Sequence, residues 1–186
     1  MGLQLEPPRP DWLASYAKAL EAGWSPDNLR DVSGEQLAFL RRAPVAFLES
    51  LVDQNGVVTL PDGTTHPRLP SIRLWLWDGE FCGGISLRWQ PGTDELPPHV
   101  LGHIGYAIVP WKRGKGYASE ALRVMLVKAR DVGLRRVEIT ADAENLASRR
   151  VIEKNGGEFV EEFVNLLYGP EVHLRYAVPL GGQVSA

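Results

Sequence analysis

With 186 residues, 44% of them hydrophobic and 23% charged, the chain is long enough for one well-buried core and short for two, so a single domain over 1–186 is expected. Its net charge of -3 excludes a general attraction to nucleic acid or to an acidic membrane. One cysteine, Cys82, allows no internal disulfide and no multi-cysteine metal site, and the four histidines lack ligand spacing, so a metal-free cytoplasmic protein is expected.

The opening stretch "MGLQLEPPRPDW" has no basic segment ahead of an apolar run, and no succession of about 18 apolar residues follows, so neither export nor a membrane span is expected. Pro10 and Asp11 introduce Trp12, Leu13, Tyr16, Ala17 and Leu20 at helical spacing, and Gly23 ends that first helix. Ser33 and Gln36 stand in capping-box spacing before a second apolar pattern, which Pro44 divides into two short helices ending near Asn55-Gly56. Residues 10–56 are therefore mainly helical. "VVTLPDGTTHPRLP" reads as an irregular connection with a short hairpin at Asp62-Gly63.

"SIRLWLW" and "FCGGISLRW" are rich in β-branched and aromatic residues, and Asp78-Gly79 between them predicts an antiparallel hairpin. "VLGHIGYAIVP" is a further strand, ended by Pro110. In "GYASEALRVMLVKARDVG" the residues Ala118, Ala121, Leu122, Met125, Ala129 and Val132 form one apolar helical stripe. "RRVEITAD" is a strand, and "NLASRRVIEKNGG" a helix with Asn145 as N-cap and Gly156-Gly157 as terminator. "EFVEEFVNLLY" and "EVHLRYAVPL" close the chain as strands. Helices fall between some strands and not others, which predicts an α/β fold with a mixed sheet and helices on both faces.

The turn "WKRGKGYASEAL" places Lys112, Arg113 and Lys115 where a helix begins, the end at which the macrodipole is already positive. Each such charge costs roughly 0.3 to 1 kcal/mol at an exposed site unless an anion is bound there. Glycines that admit close approach, successive N–H groups and adjacent cations are the parts of a pyrophosphate cradle, although a solvated basic loop has the same composition. Neither nucleotide fingerprint fits: G-x-G-x-x-G/A from Gly114 meets Ser119, and G-x-x-x-x-G-K-S/T is absent.

Arg113, Gly116 and Ala118, in the register of "RGKGYA", resemble the signature loop of the GNAT superfamily of acyl-CoA-dependent N-acetyltransferases. "VEITADAENLASRRVIEKNGG" is similar to that superfamily's later strand and helix, with Asn145 and Ser148 at positions that approach the pantetheine arm. "HIGYAIVPWKRGKGYASEAL" further resembles a bacterial, mostly uncharacterised subgroup with an "HIGY" strand. The resemblance is firm over 71–157, the cofactor-binding core, and thinner in the N-terminal part and the closing strands 157–180. It implies a mainly antiparallel central sheet of about six to seven strands flanked by helices.

The resemblance also implies acetyl-CoA as acyl donor and direct attack by a primary amine of a small molecule or peptide. The N–H groups of Gly114, Lys115, Gly116, Tyr117, Ala118 and Ser119 would hold the pyrophosphate with Arg113, and backbone near Ile108 and Val109 would pair with pantetheine. Attack needs a neutral amine, so a base must take a proton from an alkylammonium of pKa about 10.4. His103 is the first candidate, with a hydrogen-bonded sheet histidine as the alternative reading, and Glu138 is the second candidate. The superfamily's usual thiol-side tyrosine falls on Val151 and Ile152, which leaves Tyr168, Tyr106, water or thiolate departure. Cys82, on an apolar strand, reads as a small buried hydrophobe rather than a nucleophile. Trp12, Tyr16 and Trp24 stand either in the core or along the acceptor cleft. A homodimer is a weak expectation, and a non-catalytic acyl-CoA-binding module of the same fold is the alternative function.

Overall fold

Residues 2–181 are described by the computed structural model. Alternation of period two gives the central strands two usable faces: in β4 (Ser71–Trp77) Leu74 and Leu76 point one way, and Arg73, Trp75 and Trp77 the other. The Asp78-Gly79 hairpin joins β4 to β5 (Phe81–Arg88), pairing Ile72 with Leu87 and Leu74 with Ile85. β6 (Ile104–Ile108) pairs antiparallel with β5, and at Gly83 the two backbones come so close that a Cβ would lie 2.3 Å from the Ala107 carbonyl oxygen. Gly83 also has φ +147, so only glycine suits this crossing.

The far edge of this four-stranded sheet is β1 (Gln4–Glu6), opposite Trp75–Trp77; three residues carry too little pattern for the sequence to announce it. A second sheet has the order β7-β9-β8, with β7 (Arg136–Asp142), β8 (Glu158–Val164) and β9 (Val172–Pro179) all antiparallel. The expected mixed sheet is therefore two antiparallel halves whose ladders do not join. A separate hairpin, β2 (Val57–Thr59) and β3 (Thr65–Pro67), turns at Asp62-Gly63 as its sequence predicts.

The halves meet at His103. Its N–H donates to the Glu138 carbonyl at 2.7 Å, while its Nδ1 accepts the Glu138 N–H at 2.9 Å. An imidazole thus stands where a strand carbonyl would have continued the ladder, and beyond it β6 and β7 share no backbone bridge. The strand read from Val100 to Pro110 is correspondingly shorter, because Val100–His103 is spent on the approach to this junction.

On one side of both halves lie α4 (Tyr117–Asp131) and α5 (Leu146–Lys154), closing a core of Leu74, Ile85, Leu122, Met125, Ile139, Ile152 and Tyr176. Each such side chain, fully buried, stabilises the fold by roughly 1.5 to 3 kcal/mol. On the other side α1 (Leu13–Glu21), α2 (Ser33–Arg42) and α3 (Pro44–Val52) cover only the first sheet, over an aromatic cluster in which Tyr16 stacks on Trp75 at 4.5 Å. Trp12, Tyr16 and Trp24 all belong to this cluster and are buried, as the core reading of these aromatics has it.

Candidate active site

The turn that starts α4 divides into two unlike parts. Lys112 is 7% exposed, and its Nζ lies 2.8 Å and 2.9 Å from the Asp78 oxygens and 2.7 Å from Glu80 Oε1. The Tyr117 hydroxyl donates to the same Asp78 at 2.7 Å. Burial alone would raise the Asp78 carboxyl; the hydrogen bonds from Lys112 and Tyr117 outweigh it and hold the group well below the usual carboxylate range. Lys112 is therefore a strut between this turn and the β4–β5 hairpin, and contributes no charge to a ligand.

From Arg113 onward the turn faces solvent. Gly114 and Gly116 have φ of 76° and 81°, the left-handed conformation that aligns successive N–H groups, and a Cβ at either would meet open space. Gly116 is the N-cap of α4 and makes no side-chain cap bond; the first intrahelical bond is Glu120 N–H to the Gly116 carbonyl. The N–H groups of Tyr117, Ala118 and Ser119 are therefore without intrahelical partners at the positive end of a helix 15 residues long. Lys115 remains exposed beside the Tyr117 ring, and Ser119 Oγ accepts from Asn155 at 3.1 Å, which ties this first turn to the end of α5.

The edge of β6 that faces β7 is set by alternation. Val109 is turned the other way: its N–H donates to Cys82 and its C=O accepts from Lys112, so it has no backbone group to offer a ligand, contrary to expectation. Ile108 and Tyr106 face the edge. Their carbonyls accept from Arg113 Nε and Asn28 Nδ2, both at 3.2 Å, while their N–H groups have no partner among the described residues. Tyr106 was missed as a backbone contributor; the period of two counted back from Pro110 is the signal that finds it.

Across the gap, Asn145 caps α5 by accepting the Ser148 N–H at 3.0 Å, as its position predicts. Ser148 Oγ in turn meets the Tyr106 hydroxyl at 2.8 Å, and burial pushes that phenol up to about 12. Ile152, at the register of the usual tyrosine, is wholly buried in the core. The Tyr168 hydroxyl donates to the His99 carbonyl at 2.7 Å, away from the Tyr106–Ser148 pair.

The two base candidates differ sharply in geometry. His103 is wholly buried, its Nδ1 lone pair is committed to Glu138 N–H, and its Nε2 has no partner among the described residues. Burial holds its pKa below 6.5 despite the neighbouring Glu138, so the ring is neutral with its proton on Nε2. That is the hydrogen-bonded sheet histidine of the alternative reading, with no lone pair left to accept a proton. Glu138 lies on the face of β7 away from α4 and α5, and its Oε2 accepts from Arg175 Nη1 at 2.7 Å. Cys82 is fully buried, its thiol pushed up to about 12 by burial first and Asp78 second, so no thiolate nucleophile is present.

Two open depressions, of about 230 Å³ beside Asp94 and Arg135 and about 280 Å³ beside Arg149 and Tyr176, lie apart from the α4 turn. Arg149 bonds the Tyr176 hydroxyl and the Ala143 carbonyl, which makes it a support for α5. No group of three or more metal-ligating side chains occurs among the described residues.

Residues 63–158 match the family model described as "Acetyltransferase (GNAT) domain". A relative from Bacillus subtilis, "Uncharacterized N-acetyltransferase YycN", is 28% identical over 97 residues, 52% of this chain; the chain spans 60% of that relative's length. Among solved structures, Mycobacterium smegmatis RimJ in complex with CoA-disulfide is similar at 20% identity and TM-score 0.64, over 95% of this chain and 81% of that one. The acetyltransferase yncA of Salmonella typhimurium, described as putative and solved with acetyl-CoA, is similar at 16% identity and TM-score 0.57, over 100% and 98%. At these identities the structures show a shared fold.

Proposed function

As the chain belongs to the GNAT acetyltransferase domain family, we propose that it is an N-acetyltransferase that moves an acetyl group from acetyl-CoA to a primary amine of a small molecule or peptide, by direct attack in a ternary complex. The observation that carries this reading is the uncapped start of α4 set beside the open edge of β6. An anion at the N–H groups of 114–119 and an extended amide chain along Tyr106 and Ile108 satisfy both sets of donors at once, and acetyl-CoA has both parts. Arg113 and Lys115 add charge, and Asn145 and Ser148 border the far side of the gap. The described structures with CoA-disulfide and acetyl-CoA support the same ligand class.

When bound, acetyl-CoA supplies a thioester carbon open to attack. Glu138 is the proposed base: its carboxylate attracts an incoming alkylammonium and takes its proton, directly or through a water, while Arg175 fixes its orientation. His103 is a positioning residue that pins Glu138 by both backbone and ring. A thiol of pKa about 8.5 leaves without a strong acid, so the absence of a tyrosine at Ile152 does not block the chemistry. At a pKa of about 12, Tyr106 orients by hydrogen bonding with Ser148 rather than by giving up its proton.

The buried Ile152 is also what favours the second reading, a non-catalytic acyl-CoA-binding module. Thiol release from acetyl-CoA with a panel of primary amines separates the two. Turnover is expected, and Glu138→Gln is expected to lower kcat about hundredfold with acetyl-CoA affinity kept. Binding of acetyl-CoA with no turnover on any amine overturns the enzyme in favour of the module.

A further inference from the structure

The face of the sheets that carries Glu138 also carries two guanidiniums that no carboxylate among the described residues pairs with. Arg73 on β4 stands opposite Ser86, and Arg88 lies two residues further along β5, so the two are diagonal neighbours on one face. Their opposite-facing neighbours, Leu74, Leu87, Val137 and Ile139, all belong to the core under α4 and α5, which puts Arg73, Arg88 and Glu138 together on the other side. Both arginines are partly buried. Neither makes a side-chain hydrogen bond or a salt bridge with any described residue, whereas Arg135, Arg136 and Arg175 each have a carboxylate within 2.8 Å.

Arg88 reaches sideways over β6. Gly105 leaves it room: a Cβ there would lie 3.4 Å from Arg88 Nη2. Its backbone N–H donates to the His103 carbonyl at 2.8 Å, and His103 N–H donates to the Glu138 carbonyl at 2.7 Å, so Arg88 on β5, His103 just before β6 and Glu138 on β7 form one row. Two strand spacings separate the Arg88 and Glu138 backbones by about 10 Å, and the long Arg88 side chain shortens that span. Burial bears most on Arg73, followed by the Tyr16 phenol and then by Arg88 and Arg68; the carboxylate felt by both guanidiniums, Asp27, is exposed and caps its own turn by accepting the Leu29 N–H. Burial lowers the pKa of both arginines, a cost to the free protein that an oxyanion would reverse.

We propose that Arg73 and Arg88 form an oxyanion subsite on the acceptor face, so that the acceptor is a small amine carrying a carboxylate or phosphate a few bonds from its nitrogen. A planar guanidinium fork fits either group bidentately, and Glu138 at the other end of the row receives the ammonium. This inference rests on the transferase reading for the word acceptor, but the subsite itself is testable without turnover.

The experiment has two arms. Inorganic phosphate and acetate are titrated by calorimetry into protein saturated with CoA, so that the α4 turn is filled. β-Alanine, phosphoethanolamine and propylamine are then compared as acceptors by thiol release. At least one oxyanion is expected to bind, Arg73→Ala and Arg88→Ala each to weaken it about tenfold, and the amine bearing that anion to exceed propylamine in kcat/KM by about tenfold. Phosphate and β-alanine results together tell which oxyanion is preferred. A CoA affinity within about twofold of wild type shows that a variant is folded. Should the alanine variants fail that check, Arg73→Lys and Arg88→Lys keep the charge, lose the fork, and are expected to weaken binding by severalfold. No oxyanion binding to CoA-saturated wild type, or binding that survives both substitutions, overturns the subsite. Propylamine turning over while no oxyanion binds overturns it and leaves the transferase standing; arginine-dependent binding without any turnover does the reverse.

Discussion

Lys112 and Lys115 stand three residues apart in one basic turn and do opposite things. Lys112 is paired with Asp78 and Glu80, and the Tyr117 hydroxyl donates to the same Asp78, so its charge is spent inside the fold. Lys115 and Arg113 are exposed, beside N–H groups that no side chain caps. The difference teaches that a run of like charges is not a patch until partners are assigned. The strut at Lys112 holds the turn against the β4–β5 hairpin, and that anchoring is what allows the following residues to keep their donors unpaired.

The first way to break this contrast is Lys112→Met. Removing one partner leaves Asp78 largely buried without its main counter-charge, a loss of about 3 kcal/mol in unfolding free energy by analogy with other buried pairs. Chemical denaturation measures it, and a change below about 0.5 kcal/mol would mean that the pair is an ordinary surface contact. Lys115→Met, by contrast, is expected to leave stability within about 0.5 kcal/mol while weakening acetyl-CoA, since its charge has no ion-pair partner among the described residues.

Smaller effects sharpen the picture of the gap. Tyr106→Phe removes the bond to Ser148 and is expected to cost about 1 kcal/mol, roughly fivefold in kcat/KM, because the ring keeps its packing. Equal kinetics for wild type and variant would remove the hydroxyl from the site. His103 contributes through pH. Its folded pKa lies below 6.5, so between the two values the unfolded chain binds the extra proton and unfolding free energy rises with pH. Stability is fully present above about 6.5 and is lost as pH falls from there towards the folded pKa. Melting temperatures of wild type and His103→Gln across pH 5 to 8 are expected to show this slope in wild type and a flatter one in the variant; parallel pH profiles would contradict it.

Much of this was legible in sequence where the cause is local. Asp78-Gly79 turns a hairpin because glycine takes the required conformation, Asn145 caps α5 because its side chain reaches the Ser148 N–H, and the α4 stripe follows from helical spacing. What was not legible depends on partners far along the chain. Lys112 meets Asp78 34 residues earlier, and no spacing rule pairs them. His103 reads as a base on residue type alone; only its bond to Glu138, 35 residues on, shows that its lone pair is occupied. Arg73 and Arg88 alternate with apolar residues as solvent-facing strand positions do, and their isolation from carboxylates emerges only when β4, β5 and β6 lie side by side. The direction of Val109 is set by β5, which the strand's own sequence does not specify.

The central claim is that the N–H groups from Gly114 to Ser119 hold the pyrophosphate of acetyl-CoA. Calorimetric titration of acetyl-CoA into wild type and Gly116→Glu tests it most directly, because the new side chain enters open space and places a negative charge where the anion would sit. A left-handed glutamate costs about 1 to 2 kcal/mol of stability, so a thermal melt confirms that the variant is folded at the titration temperature. Micromolar or tighter binding by wild type and a loss of about hundredfold or more in the variant is the predicted result. No binding by wild type, or equal affinity in the two proteins, would contradict it.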